Sequence, residues 1–111
     1  MTPGGGDKAK EEAVERDFPL ALELPIPNPI SERGSVAYSI PRAMAGVPYD
    51  LWMFDVAGRR VMPVASGPAK AGRFVIPFEV AASGRRLRAG MYFLRLRIGT
   101  QVLKRRILLA W

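Results

Sequence analysis

Cysteine and histidine are both absent from this chain of 111 residues. Without cysteine there is neither a disulfide framework nor a thiolate nucleophile, although that alone places the chain on neither side of a membrane. Without histidine the commonest general base, the usual metal ligand and the neutral-pH switch are missing. Ser31, Ser35, Ser39, Ser66 and Ser83 therefore have no imidazole to activate them. A zinc site would rest on carboxylates alone. Asp50 and Asp55, the pair that invites a calcium reading, are five residues apart on an extended run, so their side chains point to opposite faces. The rest of a calcium-loop pattern is missing. The stretches "PGGG" and "AGRR" lack the Gly-Lys-Ser/Thr ending of a phosphate loop. These gaps point to a protein that is not an enzyme and has no cofactor, no metal and no small-molecule substrate.

Long apolar runs are missing too. None approaches the roughly 18 residues of a membrane span. The opening "MTPGGGDKAKEEAVERD" has no apolar stretch behind a basic patch, so it is not a secretory signal peptide. Acidic residues are scarce where basic ones are dense. Residues 1–24 hold three basic and six acidic side chains, a balance of −3 that leaves +10 for the remainder of a chain whose total is +7. From Gly84 onward there are eight basic residues (Arg85, Arg86, Arg88, Arg95, Arg97, Lys104, Arg105, Arg106) and no acidic ones. Such a field attracts polyanions, but carries no information about which.

What is present is a strand-rich globular chain, 49% hydrophobic and 24% charged. Residues 1–17 read as a flexible linker, with three glycines after a proline and then a short charged stretch. From Phe18 apolar runs alternate with turn residues at the spacing of an all-β sandwich. "FPLALEL" reads as a first strand, and the three prolines of "PIPNPI" break it. "GSVAYSI" places Val36, Tyr38 and Ile40 on one face and Ala37 and Ser39 on the other. "VPYDLWMFDV" is the longest candidate, with Tyr49, Leu51 and Met53 opposed to Asp50, Trp52 and Phe54. "AGRR" is a tight turn in which Gly58 supplies a positive φ. "RVMPV" returns as the hairpin partner, "SGPAKAG" is a loop, and "RFVIPFEV" is an edge strand because of Pro77. "AASGRRLRAG" reads as a loop.

The stretch "RRLRAGMYFLRLR" (residues 85–97) poses the main question, since it holds five arginines and two aromatics. From Met91 its period is two: Tyr92, Leu94, Leu96 and Ile98 share one face, and Met91, Phe93, Arg95 and Arg97 the other. That is a half-buried strand with a basic outer face, although a nucleic-acid surface would draw on the same residues. In "VLKRRILLAW" the run Lys104-Arg105-Arg106 puts charge on both faces, which an edge position or a bulge accommodates. Trp52, Phe54 and Phe93 are either covered by a second sheet or left as an outward docking patch. The expected fold is an immunoglobulin-like antiparallel β-sandwich of six or seven strands over residues 18–111.

Four stretches, in order and spacing, resemble a known superfamily: "PIPNPI" (25–30), "GSVAYSIP" (34–41), "LWMFDVAGRRV" (51–61) and the closing "AASGRRLRAGMYFLRLRIGTQVLKRRILL" (81–109). They are similar to the C-terminal Ig-like domains of bacterial exported proteins. One branch is the Ig-like domain of the flagellar hook-capping protein (FlgD-like); the other is the C-terminal sorting domain of type IX secretion cargo. The Trp-Asp-Gly usual before the last hairpin of the hook-capping type is replaced by Pro77, Phe78 and Glu79, so the branch stays open. The resemblance marks Pro27, Asn28, Pro29, Tyr38, Asp55, Gly58, Arg59, Gly90 and Tyr92 as motif positions. Their physical roles follow from residue type. Pro27 and Pro29 stiffen the way into the sandwich, Asp55 caps turn amides, and Tyr92 buries a ring whose hydroxyl needs a partner. The resemblance implies a non-catalytic module at the tail of a longer exported protein, at the cell surface or outside it. Its partner would be secretion or surface-attachment machinery, or a neighbouring domain. The alternatives are a small basic binding protein for nucleic acid or another anionic polymer, and a hook-assembly domain.

Overall fold

A computed structural model describes residues 17–82 and 85–110, apart from the side chains of residues 82, 85 and 86. The linker reading of residues 1–16 lies outside the described residues. Its last residue does not. The Asp17 carboxylate accepts hydrogen bonds from the backbone N–H groups of Phe18 (3.1 Å) and Arg42 (2.8 Å), tying the start of the described chain to a 3₁₀ turn at Arg42–Met44.

The strands run in chain order β1 (Ala21–Leu22), β2 (Arg33–Ile40), β3 (Pro48–Asp55), β4 (Arg60–Pro68), β5 (Gly72–Glu79), β6 (Ala81–Ala82), β7 (Arg85–Arg86), β8 (Gly90–Ile98) and β9 (Gln101–Leu109). Seven of them build two antiparallel sheets, ordered β1-β2-β5 and β4-β3-β8-β9, and β6 with β7 forms a separate small hairpin. The chain passes between the sheets after β2, after β4 and after β5, while β3–β4 and β8–β9 are hairpins. This is the all-β, Ig-like sandwich that the spacing of apolar runs predicts.

Periodicity explains which side of each strand faces inward. In β8, Tyr92, Leu94, Leu96 and Ile98 are buried, and in β3 Leu51 and Met53 are fully so. They meet Leu22, Val36, Tyr38 and Ile40 of the smaller sheet in one core, closed by Ile107 and Leu109 of β9. Two-residue alternation puts one sheet face inward, and burial of large apolar side chains there is the main favourable term. In β2 the opposite face is buried as well: Ala37 and Ser39 are both under a tenth exposed, and Ser39 Oγ donates to the Pro19 carbonyl.

Several local expectations change. The first strand contracts from "FPLALEL" to Ala21–Leu22, paired with Ser39 and Tyr38. The loop "SGPAKAG" shrinks to residues 69–71, because β4 continues through Ser66, Gly67 and Pro68. Gly and Pro there mislead: β4 is an edge strand with two register shifts against β3, and an edge tolerates residues that cannot complete a ladder. The "AASGRRLRAG" loop contains the β6–β7 hairpin. Pro77 does mark an edge, since β5 pairs with β2 alone. So does the charge of Lys104-Arg105-Arg106, since β9 closes the other side of the larger sheet.

Candidate binding face

The motif residues are structural joints. Pro27, Asn28 and Pro29 lie exposed between two isolated bridges, Ile26 with Ser35 and Ile30 with Leu109, and both X-Pro bonds there are cis. The segment therefore carries the chain from the smaller sheet to the end of β9, where Ile30 N–H donates to the Leu108 carbonyl (2.8 Å) and the Ala110 N–H donates to Ile30 (2.9 Å). Tyr38 is buried with its ring against Tyr49 and Phe74, and its hydroxyl meets that of Tyr49 at 2.8 Å. Burial, reinforced by that contact, pushes the Tyr38 hydroxyl well above the ordinary tyrosine value.

Asp55 closes the β3–β4 turn. Its Oδ1 accepts from the N–H groups of Ala57 (2.9 Å) and Arg59 (3.0 Å), and its Oδ2 accepts from Arg59 Nε (2.9 Å). The Arg59 N–H holds the carboxyl below its ordinary value, helped by the Arg59 side chain. Gly58 supplies the positive φ (82°) that brings Arg59 back to Asp55, and Gly90 (φ 145°) opens β8. Tyr92 is buried and its hydroxyl donates to the Arg88 carbonyl at 2.7 Å, the bond of a tyrosine corner at the start of a sandwich strand.

The basic residues do not act as one group. Arg85 and Arg86 lie in β7, with side chains outside the described residues, and Arg88 is exposed just beyond it. Arg105 is exposed too, but its parity aims it at the junction between sheets, where Nε donates to the Leu22 carbonyl (2.6 Å). Arg95, Arg97, Lys104 and Arg106 alternate with the buried positions of β8 and β9, and so share the outer face of the larger sheet.

Register assembles that face. Across β3 and β8, Asp50 stands opposite Arg97, Trp52 opposite Arg95, and Phe54 opposite Phe93. Across β8 and β9, Arg95 stands opposite Lys104 and Phe93 opposite Arg106. From β4, Arg60 lays its guanidinium 4.6 Å from the Trp52 ring centre, and Arg95 lies 4.4 Å over Phe54. The second sheet does not cover the three aromatics, which are half-buried; guanidinium groups lie over Trp52 and Phe54. Arg97 pairs with Asp50 at 3.2 Å. Arg95 Nε and Asp50 Oδ1 are buried without a hydrogen-bond partner among the described residues. Arg60 pairs with Phe54 directly after the turn, and a register shift between Met53 and Phe54 sets its offset from Trp52, which a simple count along the hairpin does not supply.

Elsewhere the chemistry is sparse. A depression of about 640 Å³ opens between Ile26, Pro27 and the β2–β5 ladder, where Arg33 and Glu79 pair with each other at 3.5 Å. Among the described residues no three acidic side chains are grouped to hold a metal ion, and no helix is long and apolar enough to cross a membrane. No family model matches the chain, nor does any curated protein or solved structure.

Proposed function

We propose that the chain is a non-catalytic Ig-like binding module, the C-terminal unit of an exported bacterial protein, acting in sorting, surface attachment or domain packing. Its working surface is the outer face of the β4-β3-β8-β9 sheet. The observation that carries the reading is the concentration of recognition chemistry there: five cations (Arg60, Arg95, Arg97, Lys104, Arg106) against one acid, Asp50, around three half-buried rings. Half-buried aromatics with arginine are the residue types that interfaces select. Export is supported by the four resembling stretches, which form the joints of the sandwich: the Pro27–Pro29 crossing, β2, the Asp55 turn and the Tyr92 corner. Fractionated source cells probed with an antibody to residues 84–111 test it. Signal in the envelope or medium supports the reading; signal confined to the cytosol removes the export half of it.

A further inference from the structure

We infer that this sheet face binds single-stranded nucleic acid, by stacking bases on the central strands and holding phosphates on the flanking ones. The inference rests on the reading of the face as the working surface, and adds the ligand.

The division of residues across the four strands is the argument. The rings occupy the two central strands: Trp52 and Phe54 on β3, Phe93 on β8. Cations occupy both flanks: Arg60 on β4, Lys104 and Arg106 on β9. A four-stranded sheet with aromatics at its centre is a stacking platform for two or three bases, and a basic rim tracks the backbone. Successive outward residues on a strand are about 6.8 Å apart and neighbouring strands about 4.8 Å, so the rings form a contiguous patch rather than isolated spots.

The state of the cations points the same way. Of the five on the face, Arg97 is paired with Asp50; Arg60, Arg95, Lys104 and Arg106 form no ion pair among the described residues. Arg95 is held over Phe54 with its Nε unpartnered among the described residues. Lifting Arg95 toward a phosphate exposes the Phe54 ring to a base and gives the stranded donor an acceptor. Phe93 has no guanidinium over it among the described residues, and is the ring open to a first base. A purely acidic peptide would use the cations and leave three adjacent rings without a role.

The test uses the full chain with Trp111→Phe, which leaves Trp52 as its one tryptophan. The probes are a fluorescein-labelled 12-mer of deoxythymidine, read by anisotropy, and unlabelled heparin. The expected result is binding of the oligonucleotide with quenching of Trp52. With four phosphates neutralised, the slope of log affinity against log salt is about −3. Phe93→Leu, an apolar replacement on an outer face, weakens the oligonucleotide about tenfold and leaves heparin unchanged. Arg106→Gln weakens both. Oligonucleotide binding without Trp52 quenching, or unmoved by Phe93→Leu, overturns the inference. So does heparin bound through Lys104 and Arg106 with no oligonucleotide bound, although the working face then stands. If Lys104→Gln and Arg106→Gln change neither polymer, the face reading falls with it.

Discussion

Replacing Tyr92 by Phe isolates one hydrogen bond. The ring, buried at 8% exposure in the core cluster, keeps its volume and its neighbours. What disappears is the 2.7 Å bond from the hydroxyl to the Arg88 carbonyl, four residues earlier. A net intramolecular hydrogen bond contributes about 0.5–1.5 kcal/mol, and stranding a buried acceptor raises the loss toward about 3 kcal/mol. Arg88 is exposed, so water can reach its carbonyl once the hydroxyl is gone, which favours the lower range. The expected cost is therefore about 1–1.5 kcal/mol. In a domain of this size that lowers Tm by about 4–12 °C. Urea unfolding followed by far-UV circular dichroism reads it as a lower midpoint at unchanged slope. Tyr92→Ala removes the ring as well, and belongs to the class of core truncations that cost about 3–5 kcal/mol. The two variants together separate the bond from the burial. A Tyr92→Phe variant within about 0.3 kcal/mol of the parent would refute the corner as a stabilising device, because no compensating contact is lost with the hydroxyl.

The same core makes Leu94→Ala cost about 2–5 kcal/mol in denaturant midpoints, since Leu94 is fully buried between the sheets. Gly58→Ala, at φ 82° with open space around the added methyl group, lowers stability by about 1 kcal/mol through backbone strain alone. The Asp55 carboxyl is held below its unfolded value of 3.8, so its contribution is complete above that pH and is lost as pH falls through the lower folded value; Asp55→Asn flattens the acid limb of a stability–pH profile. Tyr38 behaves in the opposite sense. Its folded value is raised above 10.0, so its contribution is intact below pH 10 and fades as pH climbs toward the folded value, a limb of alkaline unfolding that Tyr38→Phe removes.

How much of this was legible depends on the range of the interactions. Alternation in residues 91–98 fixes the inward set of β8 because a period of two follows from the pleat alone. The Asp55 cap and the Gly58 turn are local, and five residues suffice to read them. Pro77 pointed to an edge because it cannot donate to a second ladder, and the charges of β9 pointed to an edge or a bulge, of which the edge is what the sheet order shows. Strand length at β1 and β4 was not readable. Leu24 is apolar yet exposed, and Pro68 is a ladder residue, because pairing there is set by which partner strand is within reach. The face was half legible. Parity put Trp52 with Phe54 on one face of β3 and Phe93, Arg95 and Arg97 on one face of β8, and left open whether a second sheet covers the rings, since that depends on how the sheets stack; nor could it supply the Leu22 carbonyl that holds Arg105 from far along the chain.

That separation of Arg105 from its neighbours bears on the origin of the charge. An arginine run at a sheet edge protects against edge-to-edge pairing wherever its side chains point, so blunting alone would explain Lys104, Arg105 and Arg106 equally. It does not explain Arg95 and Arg97, which reach the same face from β8, an interior strand with partners on both sides. An interior strand has no edge to protect. Two outward arginines there sit against Trp52, Phe54 and Asp50 of the adjacent strand, where apolar or hydroxyl residues would serve the sheet as well. The charge on β9 therefore has a structural purpose of its own, while the charge on β8 is the part that calls for a ligand. Arg95→Thr and Arg97→Thr keep β-propensity while removing two of the face's cations. They are expected to change stability by less than about 1 kcal/mol in urea midpoints. In the anisotropy titration they cut oligonucleotide affinity and the salt slope; a loss of stability with no loss of binding would return both arginines to the scaffold.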